Sequence, residues 1–229
     1  MIRVFTMKAV GKDFLAASWS PYLTEERKKL ADRKKGERER QLFLGAEVLL
    51  NLSLQQVVAR IPIPAKYKRN EHGKPYLEDR QGIYVNWSHS GDYVICAVAD
   101  REVGIDLQYA GKEPKESMVR KLLQPDELQF YEYWAVKERF LKALGTGFAT
   151  PLDRFYVEFR RGSDVSDAVK KNAMKVPYII QNINHKQYLC RLLSVKDEGY
   201  TAALCIESLD KSLQEGELFS TLEVEEIEE

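Results

Sequence analysis

Apolar residues recur at helical spacing from 24 to 59, first in the charged stretch Thr24 to Lys35 and then, after Gly36, through Leu42, Leu49, Leu50 and Leu54. Pro62 and Pro64 close this block. From Ile83 the texture changes to short runs of β-branched and aromatic residues, Ile83-Tyr84-Val85 and Tyr93 to Val98. Ser88-His89-Ser90-Gly91-Asp92 joins them, which predicts a hairpin with a polar tip. Glu102 to Leu107 is a third strand. Helical signals return after Pro114, with Pro125-Asp126-Glu127 as a helix start and Gly145 and Gly147 as its end. At about 100° per residue, Phe130, Tyr133, Trp134, Phe140, Leu141 and Leu144 share one arc, with Lys137 in its middle. Phe155 to Phe159, Tyr178 to Ile180, Tyr188 to Cys190 and Thr201 to Ile206 read as further strands. The segment 215–229 carries seven acids and no base, which suggests a mobile or solvated terminus.

The chain's 229 residues suffice for a full core and suggest one compact unit with two lobes. A composition of 44% hydrophobic and 31% charged residues, with zero formal net charge, gives no single-sign excess to attract nucleic acid, so any anion site is local. Cys96, Cys190 and Cys205 are odd in number and show no Cys-x-x-Cys spacing, which points away from a disulfide framework or structural zinc and toward a reducing cytoplasm. The N-terminus lacks the apolar run of a signal peptide, and no stretch is long enough to span a bilayer, so a soluble intracellular protein is expected, with no membrane partner.

Asp106 closes the apolar run Val103-Gly104-Ile105, and 32 positions later comes Glu138, flanked by Lys137 and followed one turn on by Lys142. Two carboxylates with lysines beside them can hold a hard divalent cation against a phosphate. Each part also has a plainer reading. Asp106 can cap a turn, Glu138 and Lys142 can form a surface i,i+4 pair, and Lys137 can extend its stem to a wet tip. Ser88, His89 and Ser90 offer donors to phosphate oxygens, or simply make a loop. Gly73-Lys74-Pro75 is either a plain turn or a place where backbone and a cation approach a ligand. The bases between Arg27 and Arg40 are interleaved with acids, a pattern of solvated helices that also leaves some of them within reach of a phosphate.

In order, Gly73-Lys74-Pro75, Asn86-Trp87-Ser88-His89-Ser90, Val103-Gly104-Ile105-Asp106 and Trp134-Ala135-Val136-Lys137-Glu138-Arg139-Phe140-Leu141-Lys142 resemble the motif series of the Sfp-type 4′-phosphopantetheinyl transferases. Weaker similarity extends upstream to Glu39 to Gly45. The resemblance implies a monomer of two similar α+β lobes with the active site in the cleft between them. The lobes would span 1–102 and 103–213, followed by the acidic tail 214–229. The activity implied is transfer of phosphopantetheine from coenzyme A to a serine of an apo acyl or peptidyl carrier protein, releasing 3′,5′-ADP. Mg²⁺ (with Mn²⁺ as a substitute) would be held by Asp106 and Glu138, with Glu138 also taking the serine's proton. Lys142 would stabilise the departing nucleotide, while Lys137, His89 and Ser88 hold the diphosphate. Lys74 and Pro75 would border the nucleotide, with Arg40 toward its 3′-phosphate. Many members carry a glutamate two residues after the aspartate as a further metal ligand, where this chain has Gln108, which faces the same side and whose carbonyl would reach the metal directly or through a water but brings no charge. Two alternatives remain: a non-catalytic module binding coenzyme A or a carrier, with Gln108 as the mark of decay, and a metal-dependent phosphohydrolase or nuclease. Neutral charge and the Gly-Lys-Pro and Ser-His-Ser blocks disfavour the second.

Overall fold

A computed structural model describes residues 1–78, 82–109, 140–143, 145, 158–160, 176–183, 186–193, 195, 197, 199–208, 222 and 224–228. Within them, the run Tyr93-Val94-Ile95-Cys96-Ala97-Val98-Ala99 is buried at every position. A strand that reads as a continuous apolar run is one covered on both faces, and this one lies inside a sheet that is itself covered on both. The neighbouring strands are β1 (Ile2–Lys8), β4 (Tyr84–Ser90), β5 (Tyr93–Ala99, the buried run) and β11 (Val224–Glu226), in the order β11-β1-β5-β4. One face of this sheet, with Phe5, Met7, Val85, Val94, Cys96 and Val98, forms a core with Leu42, Leu49, Leu50 and Leu54. Those leucines belong to α2 (Glu37–Val57), packed against β5 and β1.

The opposite face meets a second sheet. Its strands are β6 (Val103–Tyr109), β7 (Glu158–Arg160), β8 (Val176–Ile183), β9 (Lys186–Leu193) and β10 (Tyr200–Ser208), in the order β6-β10-β9-β8-β7. Val4, Ile95, Ala97 and Ala99 pack there against Val103, Ile105, Leu107, Ala202, Leu204 and Ile206. The far face of the second sheet, with Tyr188, Cys190, Ala203 and Cys205, is covered by Phe140, Leu141 and Ala143 from the helical stretch 140–143. The layers therefore run helix, sheet, sheet, helix, a mixed α+β architecture. All three cysteines are buried and free.

Local chemistry explains the smaller elements. α1 (Glu25–Ala31) begins where the Thr24 side chain accepts from the Arg27 amide at 3.2 Å, with Glu25 and Glu26 in the first turn. Gly45 lets α2 lie close to the segment that follows β1, since a Cβ there would stand 2.9 Å from both Ala9 and the Phe14 ring. β2 (Tyr67–Arg69) and β3 (Pro75–Leu77) form a small separate hairpin.

Two expectations are corrected. Ser88, His89 and Ser90 are not a hairpin tip; they are the last three residues of β4, paired with Ile95, Val94 and Tyr93, so the turn is Gly91-Asp92 alone. The acidic C-terminal segment is not simply a solvated end. Val224, Glu225 and Glu226 pair in parallel with Val4, Phe5 and Thr6, and Arg3 donates to Glu225 at 2.8 Å. The helix expected from Pro125 lies outside the described residues up to position 139, as does Gly147. Among the described residues no helix is long and apolar enough to cross a membrane.

Candidate active site

Alternation along β6 sends Val103, Ile105 and Leu107 into the core between the sheets and leaves Gly104, Asp106 and Gln108 on the other side. β4 lies beside β6 at the edge where the two sheets meet. There Asn86 Oδ1 accepts from the Ile105 amide at 3.0 Å and Ser90 Oγ accepts from the Tyr109 amide at 3.0 Å, both across an offset of 19 residues. A constant offset means that the strands run parallel, with side chains of one bonding the backbone of the other. Ser88 lies between those two contacts and reaches Asp106.

Asp106 is 2% exposed, and a buried carboxylate must be paired or hydrogen-bonded to stay charged. Ser88 Oγ donates to Oδ1 at 2.5 Å, Gln108 Nε2 donates to Oδ2 at 2.6 Å, and the Lys142 ammonium forms an ion pair with Oδ1. Lys142 Nζ also donates to Ser88 Oγ at 3.3 Å and to the Ile105 carbonyl at 3.4 Å. Three oxygens thus converge on one cationic group whose side chain is one-third exposed. Oxygen donors of this kind suit a hard divalent cation. Among the described residues no three His, Cys, Asp or Glu side chains gather into a metal-binding group. Gln108, expected to reach a metal through its carbonyl, turns its amide nitrogen to Asp106.

His89 lies on the other face of β4 and is exposed to solvent. Loss of water around the ring, followed by the Lys142 and Arg27 charges, pushes its pKa below the ordinary imidazole value, against the pull of Asp106. Pro75 is buried and begins β3. Lys74 forms an ion pair with Glu102 and donates to the Ala143 carbonyl at 2.6 Å. Arg40, in the first turn of α2, has Nη1 4.0 Å from Glu37, while its Nε is buried with no hydrogen-bond partner among the described residues. The hairpin turn docks on the second sheet: Asp92 N donates to the Tyr200 hydroxyl at 2.8 Å, and a Cβ at Gly91, where φ is +56°, would run into the Tyr200 hydroxyl and ring.

The structure therefore brings Ser88, Asp106, Gln108 and Lys142 together and puts His89 near them. Glu138 and Lys137 lie outside the described residues. Asn86, Asn70 and Glu102 were not singled out from sequence. Small polar residues at every second position, 86, 88 and 90, alternating with Val85, Trp87 and His89, were the available signal for Asn86. For Glu102 and Asn70 there was none, since their partners are 28 and 75 residues away in the chain.

The family model described as the 4′-phosphopantetheinyl transferase superfamily matches residues 102–205. The chain is similar to a 4′-phosphopantetheinyl transferase of Bacillus subtilis, 28% identical over 133 residues, covering 52% of this chain and 59% of the relative. It is 31% identical to the 4′-phosphopantetheinyl transferase Sfp of Bacillus subtilis strain 168 over 113 residues, 44% of this chain and 50% of Sfp. A 4′-phosphopantetheinyl transferase of Bacillus pumilus matches at 24% over 197 residues, 81% of this chain and 79% of the relative. The chain thus spans between half and three-fifths of the first two relatives.

Proposed function

We propose, from the match of residues 102–205 to the 4′-phosphopantetheinyl transferase superfamily, that the chain is a member of that superfamily and transfers 4′-phosphopantetheine from coenzyme A to a serine hydroxyl of an apo acyl or peptidyl carrier protein. The serine oxygen attacks the β-phosphorus of the coenzyme A diphosphate, the bond from that phosphorus to the bridging oxygen breaks, and 3′,5′-ADP departs with the electron pair. Glu138 takes the serine's proton, directly or through a water. The observation that carries this reading is the convergence of Asp106, Ser88 and Lys142 at the junction of the two sheets.

Asp106 and Glu138 would hold Mg²⁺, with Gln108 a neutral neighbour; the bound ion would neutralise charge on the diphosphate. Ser88, His89 and Lys137 orient the diphosphate, and Lys142 stabilises the charge gathering on the leaving nucleotide. The Gly73-Lys74-Pro75 turn borders the nucleotide. The unpartnered Nε of Arg40 is a donor suited to its 3′-phosphate. In this reading the chain is a cytoplasmic monomer of two similar lobes, 1–102 and 103–213, a division that the presence of two packed sheets supports.

Release of 3′,5′-ADP, followed by chromatography with coenzyme A and Mg²⁺ present, tests the reaction type. Release that requires an apo carrier supports transfer. Release at the same rate without any carrier identifies a hydrolase, and none with any of a panel of carriers leaves only a binding module.

A further inference from the structure

Lys142 acts only if its ammonium is held at Asp106, and the helix end that carries it is fastened elsewhere by Asn70, Lys74 and Glu102, of which only Lys74 was placed above, in a turn beside the nucleotide. The Lys74 side chain is 12% exposed; its ammonium pairs with Glu102 and donates to the carbonyl of Ala143, the neighbour of Lys142. Asn70 works at the same place. Its side-chain oxygen accepts from the amides of His72 at 3.0 Å and Lys74 at 2.8 Å, which shapes the turn, and its side-chain nitrogen donates to the Gly145 carbonyl at 3.0 Å. Gly145, at φ +71°, closes the helix in the left-handed conformation, its amide donating to the Leu141 carbonyl at 3.0 Å and the Lys142 carbonyl at 3.2 Å. A Cβ at Gly145 would stand 2.9 Å from Lys74 Cδ, so glycine also permits the close approach.

Glu102 is itself fixed, since its carbonyl accepts from the Glu207 amide at 2.9 Å at the head of β6. Glu102 and Asp106 are four residues apart along the same strand direction, roughly 13 Å. Lys74 on Glu102 and Lys142 on Asp106 therefore anchor one helix end at two points of one strand. A cation at helix C-terminal carbonyls is also favoured by the helix dipole.

We propose that Asn70, Lys74 and Glu102 form a clamp that sets the position of the Lys142 ammonium on Asp106, making Lys74 a positioning residue whose charge serves the protein rather than the nucleotide. This rests on the transferase reading for its kinetic consequence, though not for its structural one. The two uses of Lys74 predict opposite behaviour when Glu102 is neutralised. If the ammonium serves the nucleotide, Glu102→Gln releases it, and KM for coenzyme A falls or stays unchanged with kcat intact. If it is a clamp, Glu102→Gln and Lys74→Met both lower kcat about ten- to a hundredfold, because small misplacements of a catalytic group cost that much. KM for coenzyme A then changes less than about twofold.

Amide hydrogen exchange of the full chain supplies the second arm. Faster exchange at Gly145 in Glu102→Gln and Lys74→Met, with α2 protection unchanged and partial recovery in Lys74→Arg, is the expected result. Unchanged exchange at Gly145, or a KM effect without a kcat effect, overturns the clamp. A wild-type chain inactive with every carrier would sink the transferase reading and leave the clamp to be judged on exchange alone.

Discussion

Arg27 in α1 and Lys142 beside the second sheet both sit against buried polar partners, yet their surroundings differ in kind. Arg27 is 7% exposed, donates to the Phe43 carbonyl at 3.1 and 2.5 Å, and lies 3.4 Å from the Phe43 ring centroid. Glu47 close by accepts from the Thr24 amide at 3.1 Å. Burial lowers the Arg27 pKa and raises that of Glu47, while their mutual attraction works against both shifts. The partners here are backbone, side chains of the same helical layer and Tyr67 of β2. Lys142 instead keeps a third of its side chain open to solvent, over a carboxylate that is closed off. The first arrangement can only hold helices together. The second leaves a charged face on which an anionic group can land.

Breaking each cluster should therefore give different readouts. Lys142→Ala should cut the rate of transfer by two to three orders of magnitude, about 3–4 kcal/mol of transition-state stabilisation, with little change in fold by circular dichroism. A wild-type rate would reduce the pair to a structural bridge. Arg27→Met should act on stability, lowering it by about 3 kcal/mol in denaturant unfolding because Glu47 is left buried without its cation. Adding Glu47→Leu should recover part of that loss, and a further loss instead would mean that the pair is net stabilising. Gly91→Ala, which places a methyl against Tyr200 in a left-handed backbone, should cost about 1–3 kcal/mol and loosen the contact between the hairpin turn and the second sheet.

The smallest effect concerns His89. Its pKa in the folded chain lies below the unfolded value of about 6.5, so the folded state binds the proton less readily. Its contribution to stability is present above the unfolded value and is lost as pH falls through that value toward the folded one. Proton NMR titration should show the depressed pKa in the free protein and an upward shift on adding coenzyme A, since a diphosphate favours the imidazolium. A pKa unmoved by coenzyme A would remove His89 from the diphosphate site.

Much of the layer structure was legible in the residues. The leucine spacing of α2 and the β-branched runs of β5, β6 and β10 follow directly from what each buries. The hairpin was misread because a polar cluster ending in Gly91-Asp92 has the composition of a loop; alternation at Asn86, Ser88 and Ser90 is instead that of an edge strand with one face on β6. The tail was misread because counting acids says nothing of a backbone partner, and its strand rests on pairing with β1 and on Arg3. Asp106, Ser88 and Lys142 were each visible as candidates. Their convergence was not, since it depends on how two sheets meet.

The direct test is the intact mass of an apo carrier protein incubated with this chain, coenzyme A and Mg²⁺, run beside the Asp106→Asn variant. The account predicts a gain of one phosphopantetheine with the wild type and none with the variant over the same time. An unmodified carrier with the wild type across acyl and peptidyl carriers, or full modification by Asp106→Asn, would contradict it.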